Sequence, residues 1–202
     1  MGRADRQGTD LRKIDDSRAI NSAAYMKHFF YGRHFALLAC FSTLIGVVGS
    51  LHLAPNISSS FAIYGALHAA ALVLALRSRH SIWRRCWFVA VGAALSVLAL
   101  RVGTFAGQLT GIGPGNINFY WLLGLSAATG AVAYGLSIRV FGFHALTAPA
   151  LTAIAAACIL ATCIGGFSVT HIRLLGPWWL AVVWWYAFSA GLWHFDSRGT
   201  QV

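Results

Sequence analysis

Long runs of apolar residues fill the chain from about residue 35 to near its C-terminus, separated by short polar or turn-rich stretches. A helix of about 20 apolar residues crosses the roughly 30 Å hydrocarbon core of a bilayer. The pattern therefore predicts an all-α polytopic membrane protein, with 34–202 as one transmembrane domain. The predicted apolar segments are 35–54, 60–76, 87–111, 117–166 and 174–195.

The stretch 117–166 is too long for one upright crossing, since a single helix over it would measure about 75 Å. It is either one strongly tilted helix or two crossings. The first interpretation gives five long transmembrane helices, of which the last two, 117–166 and 172–195, are tilted and packed as an antiparallel hairpin. A break is expected between Gly142 and Pro149. The alternative is six ordinary crossings.

Residues 1–33 form a polar, mixed-charge N-terminal tail, within which 17–33 has the composition of an interfacial amphipathic helix. Basic residues are concentrated in this tail and in the loop from Arg77 to Arg85. The positive-inside rule therefore places the N-terminus on the cytoplasmic or matrix side.

The acidic residues set a limit on chemistry inside the membrane. The chain has five aspartates and no glutamate, and no acid lies between positions 17 and 195. Paired-carboxylate catalysis, carboxylate metal sites and relays through this chain's own acids are thereby excluded. The formal net charge of +10 indicates membrane lipids rather than nucleic acid as the partner. The four cysteines form no CxxC motif, and neither a metal nor a cofactor is expected.

Two arginines lie within apolar stretches, Arg101 and Arg139. A charge at the bilayer centre is costly and is by default a functional candidate, although an arginine near a helix end can reach the headgroups. Arg101 precedes three glycines at GxxxGxxxG spacing, Gly103, Gly107 and Gly111, which predict close helix packing.

The run Gly135-Leu-Ser-Ile-Arg139-Val-Phe-Gly142 resembles the arginine motif of the a subunit of F-type ATP synthases. The run from Trp185 to Ser189, followed by 192–196, resembles that family's closing motif. Phe143 departs from the pattern, because the family has an asparagine there, and the N-terminal side predicted above is opposite to the family's.

This resemblance implies a proton-translocating stator subunit of the Fo sector, which is a membrane subunit rather than an enzyme on its own. Arg139 would separate two proton half-channels by facing carboxylates of the rotor ring. The implied partners are the ring of c subunits, other Fo and peripheral-stalk subunits and lipids. The implied location is the mitochondrial inner membrane, with the bacterial inner membrane as the alternative.

Histidines are the other titratable groups near the membrane. Proton-path candidates are His144, His171, His194 and Tyr186. A haem held by His52 and His68 is a weaker idea, since their helices show no paired spacing. Two further functions stay open: a stand-alone six-crossing transporter or anion channel using Arg101 or Arg139, and a non-catalytic subunit of a respiratory complex.

Overall fold

All regular structure in the described part of the chain is helical. The computed structural model describes residues 31–47, 56–75, 81–111, 119–172 and 178–196. In chain order the helices are α1 (Tyr31–Val47), α2 (Ile57–Ala75), α3 (Ile82–Thr110), α4 (Phe119–Val140), α5 (Ala148–His171) and α6 (Trp178–Asp196).

Four of these helices, α2 to α5, are long and apolar enough to cross a membrane. The predicted all-helical class is thereby confirmed for the described residues, and four of the helices have the length and composition that a membrane protein requires. Residues 1–30 of the predicted tail lie outside the described residues, and 31–33 form the first turn of α1.

The expectation of one long helix over 117–166 is wrong. The chain leaves the helical conformation after Val140 and re-enters it at Ala148, within the range where a break was expected. The two helices then pack on each other antiparallel: Gly135 lies against Leu151, and Gly124 lies against Ile159. The described residues thus contain six helices, the number given by the six-crossing alternative.

Backbone chemistry explains why the helix ends there. Gly142 has φ +72°, a left-handed conformation that strongly favours glycine. Its N–H donates to the Arg139 carbonyl at 3.0 Å, and the Phe143 N–H donates to the Ile138 carbonyl at 2.9 Å. These two bonds form a Schellman cap, which satisfies carbonyls that the ended helix leaves free.

The start of α5 is also determined by residues close to it in the sequence. The Thr147 hydroxyl accepts a hydrogen bond from the Ala150 N–H, which makes Thr147 the N-cap of α5. Pro149 occupies the first turn, where its missing N–H costs nothing. The sequence Gly142 to Pro149 is therefore a complete stop-and-start signal for two helices.

Gly142→Ala is expected to destabilise the protein by about 1–2 kcal/mol, because alanine disfavours the left-handed conformation. Gly142→Asn is the matched control and should cost less, since asparagine tolerates this conformation at a helix end. The free energy of unfolding in detergent measures both. Equal stability of Gly142→Ala and the wild type would contradict this account of the turn.

The helices form a ring in which each of α2 to α6 packs against the next, and α6 returns to α2. Small residues allow the close approaches: Gly92 lies against Ala69 and the Gly65 carbonyl, and Gly103 lies against Ser126. α1 packs antiparallel to α6, as Tyr31 contacts Trp193 and Gly46 contacts Trp178.

Exposed tryptophans mark both ends of this bundle. Trp83 and Trp87 are 74% and 63% exposed at the start of α3, and Trp121 is 77% exposed at the start of α4. Because Gly103 packs on the Leu122 carbonyl, Trp121 is level with Gly103. The separation of Trp87 and Gly103 along α3 is about 24 Å. The tryptophans therefore suit the two interfaces of a bilayer, where such residues are enriched.

Candidate functional site

Two buried histidines meet a buried serine inside the bundle. His34 of α1, His68 of α2 and Ser189 of α6 are each at most 1% exposed. The Nε2 atom of His34 lies 2.9 Å from the Ser189 Oγ, and the Nε2 atom of His68 lies 3.4 Å from the same oxygen. One hydroxyl thus joins two imidazoles from helices that are distant in sequence.

The His68 ring is enclosed by aromatic rings. It stacks on Trp185 at a centroid distance of 5.6 Å, and it meets Trp184 and Phe188 edge to face. Tyr134 of α4 closes the remaining side, with ring centroids 4.9 Å apart. Aromatic faces attract cations, so this cage favours a positive charge on His68 more than an aliphatic core would.

Two polar atoms in this cage have no hydrogen-bond partner. They are the Nδ1 atom of His68 and the hydroxyl of Tyr134, both buried. An unsatisfied buried polar group costs about 1–3 kcal/mol, so its retention in a packed core calls for a role. Proton exchange at His68 Nδ1 is such a role, because Nε2 already faces Ser189.

The cluster lies nearer to one end of the bundle. Ala69, the neighbour of His68, packs on Gly92 of α3, which is five residues from Trp87. His68 is therefore about 7–8 Å below the Trp87 end and about 16 Å from the level of Gly103. The end nearer to the cluster is the one where α1 begins and α6 ends.

His144 extends the polar cluster toward this nearer end. It lies half-buried in the connector between α4 and α5, and it is close enough to His34 to interact with it electrostatically. Of the predicted proton-path residues, His144 thus lies within electrostatic range of His34.

The other predicted proton-path residues lie apart. His171 is exposed at the end of α5, with Nδ1 2.8 Å from the Phe167 carbonyl, and His194 is exposed at the opposite end of the bundle. Tyr186 is half-buried, stacks on Phe35 and lines an open groove of about 570 Å³ between α1, α5 and α6.

The two arginines predicted as functional candidates, Arg101 and Arg139, are exposed near the ends of the bundle. Arg139 lies in the last turn of α4. Arg101 is two residues from Gly103 and hence about 3 Å from the level of Trp121. At these levels a guanidinium reaches lipid headgroups by extending its side chain.

The three predicted packing glycines have different surroundings. Gly103 is buried against Leu122 and Ser126 of α4. Gly107 is half-buried, and its carbonyl accepts from the N–H of Gly111. Gly111 has φ +66° and caps the end of α3 with open space around it.

Sequence reasoning missed His34 and Ser189 as site residues. His34 lies one residue before the predicted first apolar segment, and Ser189 appears only as the last residue of the run that resembles the closing motif. A buried pair of His on facing membrane helices is detectable only once the helix neighbours are known.

Within the described residues no group of three or more His, Cys, Asp or Glu side chains could hold a metal ion. His52, the other suggested haem ligand, lies outside the described residues.

These features define a helical membrane protein with a histidine–serine–histidine cluster in its core. No family model, curated protein or solved structure matches the chain.

Proposed function

We propose that the chain is a stand-alone membrane transporter that conducts protons through the His34–Ser189–His68 cluster. The observation that supports it is the hydroxyl placed between two buried imidazoles, at 2.9 Å and 3.4 Å. Ionisable residues inside a membrane bundle are rare and usually belong to transport paths.

The proton moves by exchange of hydrogen bonds. His34 first takes up a proton from the nearer end of the bundle and becomes an imidazolium, whose Nε2–H donates to Ser189 Oγ while the Ser189 hydroxyl donates to Nε2 of the neutral His68. When both protons shift by one position, His34 returns to its neutral form, Ser189 keeps one proton, and His68 becomes the imidazolium. His68 then releases the proton from Nδ1, on the side of Tyr134.

The aromatic rings around His68 lower the free-energy cost of forming the imidazolium. A charged imidazole without a carboxylate partner is expensive in a dry core. Contact with tryptophan, tyrosine and phenylalanine rings offsets part of that cost, by about 2 kcal/mol in a desolvated site. The imidazolium is therefore a transient state in this mechanism.

The arginines favour a proton path over an anion channel. None of the five arginines in the described residues is buried. An anion path through the bundle would need fixed positive charge along it. The buried polar side chains of the described residues are histidines, serines and a threonine, which carry no permanent positive charge.

The test is proton flux into vesicles that contain the purified protein, driven by an imposed potential and reported by a pH-sensitive dye. Flux above that of protein-free vesicles is expected for the wild type. Ser189→Ala should lower it about tenfold, since the two imidazoles lose the group that joins them. The matched control is Ser168→Ala, which removes a hydroxyl bonded only to its own helix at the Ile164 carbonyl. A wild type without flux, or equal flux in both variants, would refute the proposal.

The stator subunit of an ATP synthase is a second candidate, favoured by the motif from Gly135 to Gly142. The antiparallel packing of α5 on α6, where Gly165 meets Val183 and Gly191 meets Ile154, also suits it. The position of Arg139 at a helix end suits it less, because the proposed role requires the charge well inside the membrane.

Arg139→Gln separates the two candidates. For the stand-alone transporter we expect proton flux within about twofold of the wild type, since Arg139 is exposed in the last turn of α4. For the stator subunit, Arg139→Gln should abolish proton-coupled ATP synthesis while the complex stays assembled. Lost flux in Arg139→Gln together with unchanged flux in Ser189→Ala would reverse the order of the candidates.

A further inference from the structure

The indole of Trp184 connects three helices beside the histidine cluster. Its Nε1–H donates to the Ala127 carbonyl of α4 at 3.1 Å, and a Cβ on Gly130 would lie 3.5 Å from its Cζ2 atom. Its ring meets the His68 ring of α2 edge to face, with centroids 5.5 Å apart. One side chain of α6 thus reaches α2 and α4 across the interior of the bundle, and it packs against both hydrophobic cores.

The contacts of the indole place it between His68 and the farther end of the bundle. Tyr134 is level with His68, since their ring centroids are 4.9 Å apart, and Gly130 lies about 6 Å from Tyr134 toward the start of α4. On α6, Trp184 precedes Ser189 by five residues, which is about 7.5 Å toward the start of that helix. The starts of α4 and α6 both lie at the end of the bundle that is farther from the cluster.

The indole occupies a large part of the longer side of the path. Gly130 is level with Ala99 of α3, because a Cβ on Gly130 would lie 3.3 Å from the Ala99 Cβ. Ala99 follows Gly92 by seven residues, so this level is about 10 Å beyond that of His68. The level of Gly103 is about 16 Å beyond His68. The indole therefore stands at the beginning of the distance that a proton must cover to the farther face.

The chemistry of an indole suits a barrier. Its nitrogen is a hydrogen-bond donor without acceptor capacity, so it cannot take up a proton and pass it on. In this protein the Ala127 carbonyl also holds the indole in place through its one N–H group. A ring fixed there keeps water, which would carry the proton onward, away from this side of His68.

We propose that Trp184 is the barrier that limits proton release from His68 toward the farther face of the membrane, an inference that rests on the proposed transport function. The proton continues from His68 only when the indole leaves the Ala127 carbonyl and water takes its place. Proton uptake from the nearer face does not require this movement, because Trp184 lies beyond His68 on the path.

Trp184→Ala tests the barrier by measuring proton flux in reconstituted vesicles. The vacated space would adjoin the Ala127 carbonyl, the Nδ1 atom of His68 and the Tyr134 hydroxyl, and a space with several polar partners holds water. We expect flux to rise about tenfold over the wild type, since water then replaces the slow step. Trp184→Phe keeps an aromatic ring but loses the hydrogen bond, and its flux should lie between those of the wild type and Trp184→Ala.

A second measurement reports the barrier without any flux. The hydrogen on C2 of the His68 ring exchanges for deuterium in D2O only when solvent reaches the ring, and mass spectrometry of the peptide detects it. This exchange should be faster in Trp184→Ala than in the wild type. Trp121→Ala is the matched control for both measurements, because it removes an indole that is 77% exposed, and it should behave like the wild type.

The outcomes separate a barrier from a purely structural role. Damaged packing of the cluster would lower the flux through His68, whereas loss of a barrier raises it. Leakage through a disrupted bundle is recognised in the double variant Trp184→Ala with His68→Leu, which should conduct no faster than His68→Leu alone. Wild-type flux together with unchanged flux and unchanged deuterium exchange in Trp184→Ala would overturn the barrier alone. A wild type without flux would overturn the transport function and the barrier together.

Discussion

His68→Leu is expected to lower proton flux about a hundredfold, because it removes the only ring that bonds Ser189 from α2. Leucine suits the aromatic cage and leaves no unsatisfied nitrogen there, so the folded state should persist. Flux in reconstituted vesicles and the thermal midpoint in detergent are the two measurements.

His171→Leu is the matched control, since His171 is exposed at the end of α5, where its Nδ1 atom lies 2.8 Å from the Phe167 carbonyl of the same helix. It should conduct like the wild type. A folded His68→Leu protein with undiminished flux would mean that the buried histidines have a purely structural role.

Gly65→Ala should destabilise the protein by about 3 kcal/mol, at the upper end of the cost of overpacking. A Cβ at this position would collide with the Ser96 hydroxyl and with the Gly92 carbonyl. A serine can change rotamer, but a backbone carbonyl in a helix cannot move alone. The α2–α3 contact must therefore widen, as the free energy of unfolding in detergent should show.

Gly32→Ala serves as its control. Gly32 is exposed on α1, and a Cβ there would meet nothing within 4 Å. Alanine should be neutral or stabilising there by up to about 1 kcal/mol, because it loses less backbone freedom in a helix. If Gly65→Ala were as stable as Gly32→Ala, the result would contradict the close packing of α2 on α3 at Gly65.

Hydropathy predicted the helical class and the approximate position of most helices, since burial in lipid depends on local composition. The division of 117–166 was also readable in local chemistry, because Gly142, Thr147 and Pro149 are a cap, an N-cap and a first-turn proline. Total apolar length favours a single helix, but the local signals determine the structure, and the single-helix prediction was wrong.

The histidine–serine–histidine cluster could not be predicted from local sequence patterns, because its residues are far apart in the chain. His34 and Ser189 are separated by 155 positions, and His68 and Ser189 by 121. Helices that are apolar on all sides show no polar stripe to indicate which face turns inward. The depth of Arg101 was equally hidden, since the packing of Gly103 on α4 determines it rather than its distance from a segment end.

The shallow position of His68 has an electrical consequence. At about 7–8 Å from one interface of a layer roughly 24–30 Å thick, the imidazole lies about a quarter to a third of the way through the membrane field. A full charge crossing that field changes its energy by about 2.3 kcal/mol per 100 mV. The free energy of proton transfer from the nearer face to His68 should thus change by only about 0.7 kcal/mol per 100 mV. The free energy of proton release toward the far face should change by the larger remainder of the roughly 2.3 kcal/mol per 100 mV.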